Sequence, residues 1–166
     1  MSGAQLLGGA GFLLLLAATQ AKTRGRFLVL DVCGLVPVTA HYLLLEAPAG
    51  AAMSALYLVI DVSAALEDPP GRARDRLLAQ GALAALLIGL TWRTAADLAA
   101  LAGTLAAVVS RQQAEMDRLL WLVVASTAGW GLYGVLAGSV AQVAFSAAYA
   151  LAALLGIWRI ARPTHA

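Results

Sequence analysis

Apolar residues run through this chain in long blocks and show no two-residue alternation. A membrane-spanning helix needs about 20 mainly apolar residues, with a range of about 17–25. Seven segments answer to that pattern: Gly3–Gln20, Phe27–Leu45, Ala49–Leu66, Leu77–Thr91, Ala95–Ser110, Leu119–Leu136 and Ser139–Ile160. Runs of Leu, Ala, Val and Gly without alternation predict helices and not barrel strands. The fourth and fifth segments are short, but Trp92-Arg93 between them reads as an interfacial anchor that separates two spans. The expected fold class is an all-α membrane protein of seven transmembrane helices.

Composition sharpens this. Of the 166 residues, 61% are hydrophobic and 12% charged. A soluble domain carries about 25% charged residues. That excludes a soluble enzyme, a nucleic-acid binder and a disordered chain. A single cysteine, Cys33, excludes a disulfide framework within the chain.

The placement of charge sets the orientation. With seven spans and the N-terminus outside, the inner loops hold Lys22, Arg24, Arg26, Arg72, Arg74, Arg76, Arg111 and Arg118, and the inner C-terminus holds Arg159 and Arg162. Only Arg93 then lies outside, as the positive-inside rule requires. Fusing the fourth and fifth spans would scatter the later arginines over both sides. The first span has no basic residue before it, so it reads as a retained span and not a signal peptide. The expected location is the bacterial inner membrane, N-terminus outside and C-terminus cytoplasmic.

An internal repeat is also legible. At an offset of 92 residues, Gly11 falls on Gly103, Gln20 on Gln112, Arg26 on Arg118, Phe27-Leu28 on Leu119-Leu120 and His41 on Tyr133. With a gap at the turn Glu46–Gly50, Gly50 falls on Gly138 and Tyr57 on Phe145. Spans one to three thus match spans five to seven, and span four returns the chain to the starting side. The expected arrangement is two parallel three-helix repeats joined by a linker helix: 1–66, then 67–94 with its charged loop, then 95–166. Parallel repeats of this kind place a cavity on their common axis, and rocking of the halves gives alternating access.

The segment His41-Tyr42-Leu43-Leu44-Leu45, followed by Pro48-Ala49-Gly50-Ala51, resembles the YgjV-type bacterial inner-membrane proteins. So do the run from Trp121 to Trp130, Gly138-Ser139 and Arg159. That family is similar in layout to the SWEET/MtN3 and PQ-loop transporters, which implies a SWEET-like three-plus-one-plus-three helix order. There are departures. No Pro-Gln dipeptide occurs, and Pro37 lies inside the second span instead. Where the family resemblance implies polar residues in the third and seventh spans, this chain has Ser54, Ile60 and Ser146.

Ionisable residues inside a span cost about 2.5–3.5 kcal/mol at the bilayer centre and are functional candidates. Asp31, Asp61 and His41 are the three here. Asp31 and Asp61 lie near the inner ends of neighbouring antiparallel spans, at about the same depth, roughly 6–8 Å below the inner boundary. They read either as a shared proton or cation site or as acids that reach the interface or pair with Arg24, Arg26 or the Arg72–Arg76 group. His41 reads as a proton acceptor in an outer gate or as a helix-end histidine bonded to a backbone carbonyl or a headgroup. Trp130, Tyr133, Tyr57, Ser54 and Gln142 are the expected solute-binding residues between the triplets. Tyr42 and Tyr149 are further aromatics within spans. Trp92, Trp121 and Trp158 near span ends read as interfacial anchors.

Enzymatic readings fail on residues. There is no Gly-x-Ser-x-Gly elbow, no His-Glu-x-x-His helix, no Walker-type loop and no lysine within a span. No metal site and no cofactor are expected. The expected function is a secondary transporter or facilitator for a small polar solute. Its expected partners are the bilayer, the solute and, in a homo-oligomer, further copies of the chain, with no nucleic acid. The alternative is a non-transport scaffold or accessory subunit that binds a partner through its helices.

Overall fold

The structure, a computed structural model, describes residues 3–44, 48–66, 73–92, 94–138 and 140–161. Those residues form seven helices: α1 (Gly3–Ala18), α2 (Arg24–Leu44), α3 (Pro48–Ala65), α4 (Ala73–Thr91), α5 (Asp97–Arg111), α6 (Met116–Leu136) and α7 (Val140–Ala161). The α2, α6 and α7 helices are each long and apolar enough to cross a membrane. The α1 helix and residues 51–65 of α3 are apolar but shorter. Each helix lies within four residues of its segment in the hydropathy pattern. Arg93 and the loop residues 67–72 lie outside the described residues.

Local chemistry fixes several helix ends. The Thr23 hydroxyl accepts the Arg26 amide, an N-cap for α2. The Asp97 carboxylate accepts the Thr94 amide at the start of α5, where the helix dipole favours an acid. Gly138, with φ +69°, stands in the left-handed region just past α6. Pro37 sits inside α2, which continues through it.

The helices close into a ring. The α1 helix packs on α2, α2 on α3, α3 on α5, α5 on α6, α6 on α7, and α7 returns to α1. The α4 helix stands outside the ring against α5 and, more lightly, α3. The C-terminal ends of α1, α3, α5 and α7 meet at one end of the ring. There Arg24 donates to the carbonyls of Ala64 and Arg111, and Arg159 donates to Gln20.

Without a hydrophobic drive between helices in lipid, close backbone approach supplies the packing. Two glycine crossings show it. A methyl on Gly11 would lie 2.7 Å from the Gly34 carbonyl oxygen, where α1 crosses α2. A methyl on Gly129 would lie 2.7 Å from the Gly103 Cα, where α5 crosses α6. Buried positions follow the same offset in both halves. Gly8, Gly11, Leu15 and Ala18 of α1 answer to Ala100, Gly103, Ala107 and Ser110 of α5. Phe27, Leu28, Asp31, Gly34 and Leu35 of α2 answer to Leu119, Leu120, Val123, Ser126 and Thr127 of α6.

Outward faces carry bare leucine and valine on every helix, including Leu13, Val36, Val59, Leu86, Leu105, Leu132 and Leu151. Trp92, Trp121 and Trp158 are about half exposed near helix ends. A water-soluble monomer does not leave so much large apolar surface uncovered. A bilayer covers it.

The closest backbone approach is between α7 and Thr19, the residue just past α1. A Cβ at Gly156 would land on the Thr19 carbonyl oxygen, which is backbone and cannot swing away. Gly156→Val is expected to lower stability by about 3 kcal/mol, the upper end for overpacking. Gly81→Ala is the control, because its added methyl meets only Leu105 at 3.7 Å. Thermal unfolding of the two purified variants in detergent checks this: the Gly156 variant melts far lower and the Gly81 variant does not.

Candidate functional site

A cavity of about 310 Å³ lies inside the helix ring. Every ring helix contributes to its wall, and α4 adds Ile88. At one end the lining includes Asp97 in the first turn of α5, Gln142 early in α7, and Tyr42 and Tyr133 in the last turns of α2 and α6. At the other it reaches Asp31, Tyr149 and Arg111. Asp97 and Arg111 stand at the two ends of α5, about 21 Å apart at 1.5 Å per residue.

The deep end is an ion cluster. Arg111, the last residue of α5, is 5% exposed, Asp31 1% and Asp61 0%. The guanidinium divides itself between the two acids. Its Nε donates to Asp61 Oδ1 at 2.8 Å, and its Nη2 donates to Asp31 Oδ2 at 2.5 Å. Nη1 donates to the Ser110 hydroxyl, and Cζ lies 5.2 Å from the centre of the Phe27 ring. The Tyr149 hydroxyl donates to Asp31 Oδ1 at 3.2 Å. Three of four carboxylate oxygens thus have donors. Asp61 Oδ2, also buried, has none.

Below the cluster, polar contacts stitch the helices together at that end of the bundle. Arg24 holds the last carbonyls of α3 and α5. Arg76 donates to the Ser63 carbonyl and Gln80 to the Ser63 hydroxyl. Gln112 donates to Gln80, and Gln20 to the Ala152 carbonyl.

Above the cluster runs a second polar chain. Trp130 Nε1 donates to the Tyr57 hydroxyl at 2.7 Å. Tyr57 donates to the Thr104 hydroxyl at 3.2 Å, and Thr104 donates to the Ala100 carbonyl. This links α6, α3 and α5 across the ring. Aromatic rings fill in around it. Phe12 packs on Phe145 with centroids 4.3 Å apart, Phe145 stacks on Tyr149, and Trp130 meets Tyr133 edge-on. Gln142 donates to Ser146 on the α7 wall.

The residues expected from the sequence to bind solute, Trp130, Tyr133, Tyr57, Ser54 and Gln142, all line this one cavity. Asp31 lines it too, and Asp61 stands beside Asp31 through their common arginine. His41 does not line it. The imidazole lies over Gly8 on the α1–α2 seam, with Nδ1 2.7 Å from the Ala4 carbonyl oxygen.

One assignment needs correction. Arg111 does not lie in a loop; it is the buried end of α5 and the partner of both acids. Among the described residues both acids pair with Arg111 and not with Arg24, Arg26, Arg74 or Arg76; Arg72 lies outside the described residues. The missing signal was helical spacing. Ala100, Ala107 and Arg111 share one face of α5, and that face lines the cavity.

A ring of apolar helices, lipid-compatible outside and polar at its centre, defines a polytopic helical membrane protein. The chain belongs to Imp-YgjV, a bacterial inner membrane protein family, whose sequence profile matches residues 2–164. No curated protein and no solved structure matches it.

Proposed function

We propose that this protein is a secondary transporter or facilitator that moves a small polar solute across the bacterial inner membrane. The observation that carries the reading is the cavity within the ring, walled by both helix triplets and floored by the buried Arg111 cluster. Membrane proteins place ionisable groups in the interior where ions or solutes pass. A ring that served only as a scaffold would gain more from an apolar, filled centre.

The parallel three-plus-one-plus-three organisation is part of the proposal. The matching buried positions of α1 with α5 and α2 with α6 support it. So do the paired glycine crossings and the place of α4 outside the ring. Rocking of α1–α3 against α5–α7 would open the stitched end by breaking the polar contacts that join the halves there. The N-terminus lies outside and the C-terminus in the cytoplasm on this reading. Moving Arg111 out of the loops leaves the basic bias intact. The stitched end is then the cytoplasmic one, and the cavity faces outward.

In this scheme Trp130, Tyr133, Tyr57, Ser54 and Gln142 hold the solute, and Asp31 and Asp61 couple protons. His41 serves the α1–α2 seam. Uptake into liposomes tests the scheme, with a panel of neutral, anionic and cationic sugars, nucleosides and vitamins offered with and without a pH gradient. Flux of at least one solute, stimulated by the gradient, is expected. No flux of any of them under either condition sinks the proposal.

A further inference from the structure

On the reading that the cavity is the solute site, we propose that it takes a small aromatic organic cation in exchange for one proton held between Asp31 and Asp61.

Charge balance leads there. Two ionised aspartates and one arginine leave the cluster at a formal charge of minus one, fully buried. An uncompensated buried charge is too costly to persist in apolar surroundings. Arg24 also feels the Asp61 charge, but it makes no ion pair with either aspartate; its Nη2 is bonded to the C-terminal carbonyls of α3 and α5, and its Nε bonds neither acid. Each helix end carries roughly half a negative charge, so the two together balance that one arginine. Arg76 is likewise held at the Ser63 carbonyl. The other groups facing the cluster are Tyr149, which donates to Asp31, and Tyr57 on α3. Neither supplies a positive charge. One further positive charge is therefore needed.

A proton is one solution. Asp61 Oδ2 is the buried oxygen without a donor, and Asp61 and Asp31 are held together by the one Arg111 guanidinium. Two ionised carboxylates repel, whereas a carboxyl bonded to a carboxylate is stable. A cation in the cavity is the other solution, because Asp31 reaches the lining while Asp61 stays behind it. The walls suit such a cation. Tyr57, Trp130, Phe145 and Tyr149 present ring faces and edges in the same space as Asp31, the arrangement that holds an ammonium by cation–π attraction. Asp97 adds a second acid at the far end of the lining. Among the described residues the one cation of the lining is Arg111, and it is spent on the two aspartates, so an anion meets no uncommitted arginine there. Proton and cation satisfy the same deficit and exclude each other. The exchange is balanced in charge: one proton leaves Asp61 as one monocation arrives, and no bond other than O–H breaks.

Purified full-length protein in detergent tests this with benzyltrimethylammonium as probe, against benzyl alcohol and phenylacetate. Binding is read by tryptophan fluorescence, and proton release by an indicator dye in weak buffer. The cation is expected to bind at least tenfold more tightly than either control and to release about one proton. As pH falls below the point where the site is protonated, its apparent affinity should drop about tenfold per unit, the limit for one competing proton. Asp61→Asn should abolish proton release and weaken the cation at least tenfold. If that variant does not elute as a single folded species, the pH series on the wild-type protein decides by itself. Cation binding without proton release, at a pH-independent affinity, overturns the exchange. Equal binding of benzyl alcohol overturns the cation class and leaves the cavity as a solute site. Undiminished cation binding by Trp130→Ala overturns the site itself.

Discussion

Replacing Arg111 with alanine is expected to lower stability by about 3–5 kcal/mol, because it leaves two buried carboxylates facing each other with no cation between them. Removing one partner from a buried ion pair exposes the full desolvation cost of what remains. The loss spreads further here. The Arg111 side chain joins α5 to α2 through Asp31 and to α3 through Asp61, and its carbonyl anchors Arg24. Arg111→Lys should recover only part, since an ammonium is a point charge and cannot serve two carboxylates with a fixed fork. The triple variant Asp31→Asn, Asp61→Asn, Arg111→Met should return close to wild-type stability, as replacing a whole buried charge group often does. It should also have lost all response to a pH gradient. Melting temperature in detergent and gradient-driven uptake check the series together. A stable Arg111→Ala protein would mean that the cluster is hydrated and not the sealed floor of the cavity.

The seven helices were legible because membrane helices are written in the longest-range feature of a sequence, the length of its apolar runs. The cavity wall was legible for a related reason. Aromatic and polar residues in the middle of an apolar span have few places to go except inward, and Trp130, Tyr57, Ser54 and Gln142 went there. The two aspartates were placed at equal depth by counting residues from the span ends, and one guanidinium reaches both.

The partner itself was hidden. Arg111 is followed by Gln112 and Gln113, so it looked like the first residue of a polar loop. The hydrophobic pattern locates a helix end only to within a residue or two, and at that end one residue decides between solvent and core. His41 had two readings, an outer-gate proton acceptor and a helix-end histidine bonded to a carbonyl. Glycine at position 8 leaves a socket for the ring, and the Ala4 carbonyl stands at hydrogen-bond distance from its nitrogen. Which residue on a neighbouring helix offers such a socket depends on crossing geometry, and that is absent from one helix's own periodicity.

Trp130→Ala is expected to abolish uptake while Trp130→Phe keeps a measurable part of it. The indole contributes twice. Its ring forms wall between Tyr57 and Tyr133, and its N–H holds the Tyr57 hydroxyl, which in turn reaches Thr104. Alanine removes both and widens the cavity, at a stability cost of about 3–5 kcal/mol where the ring is well packed. The Trp130 ring is part-buried, so the lower end applies. Phenylalanine keeps a ring face for the solute and loses only the donor, worth about 1 kcal/mol. Tyr57→Phe should then resemble Trp130→Phe, because both break the same hydrogen bond, and the double variant should add little to either single one. Initial rates of uptake into liposomes, normalised to folded protein recovered after reconstitution, separate loss of transport from loss of protein. Full activity in Trp130→Ala would place the solute elsewhere in the ring. Additive losses in the double variant would show that indole and phenol contact the solute separately, and not as one bonded unit spanning α6, α3 and α5.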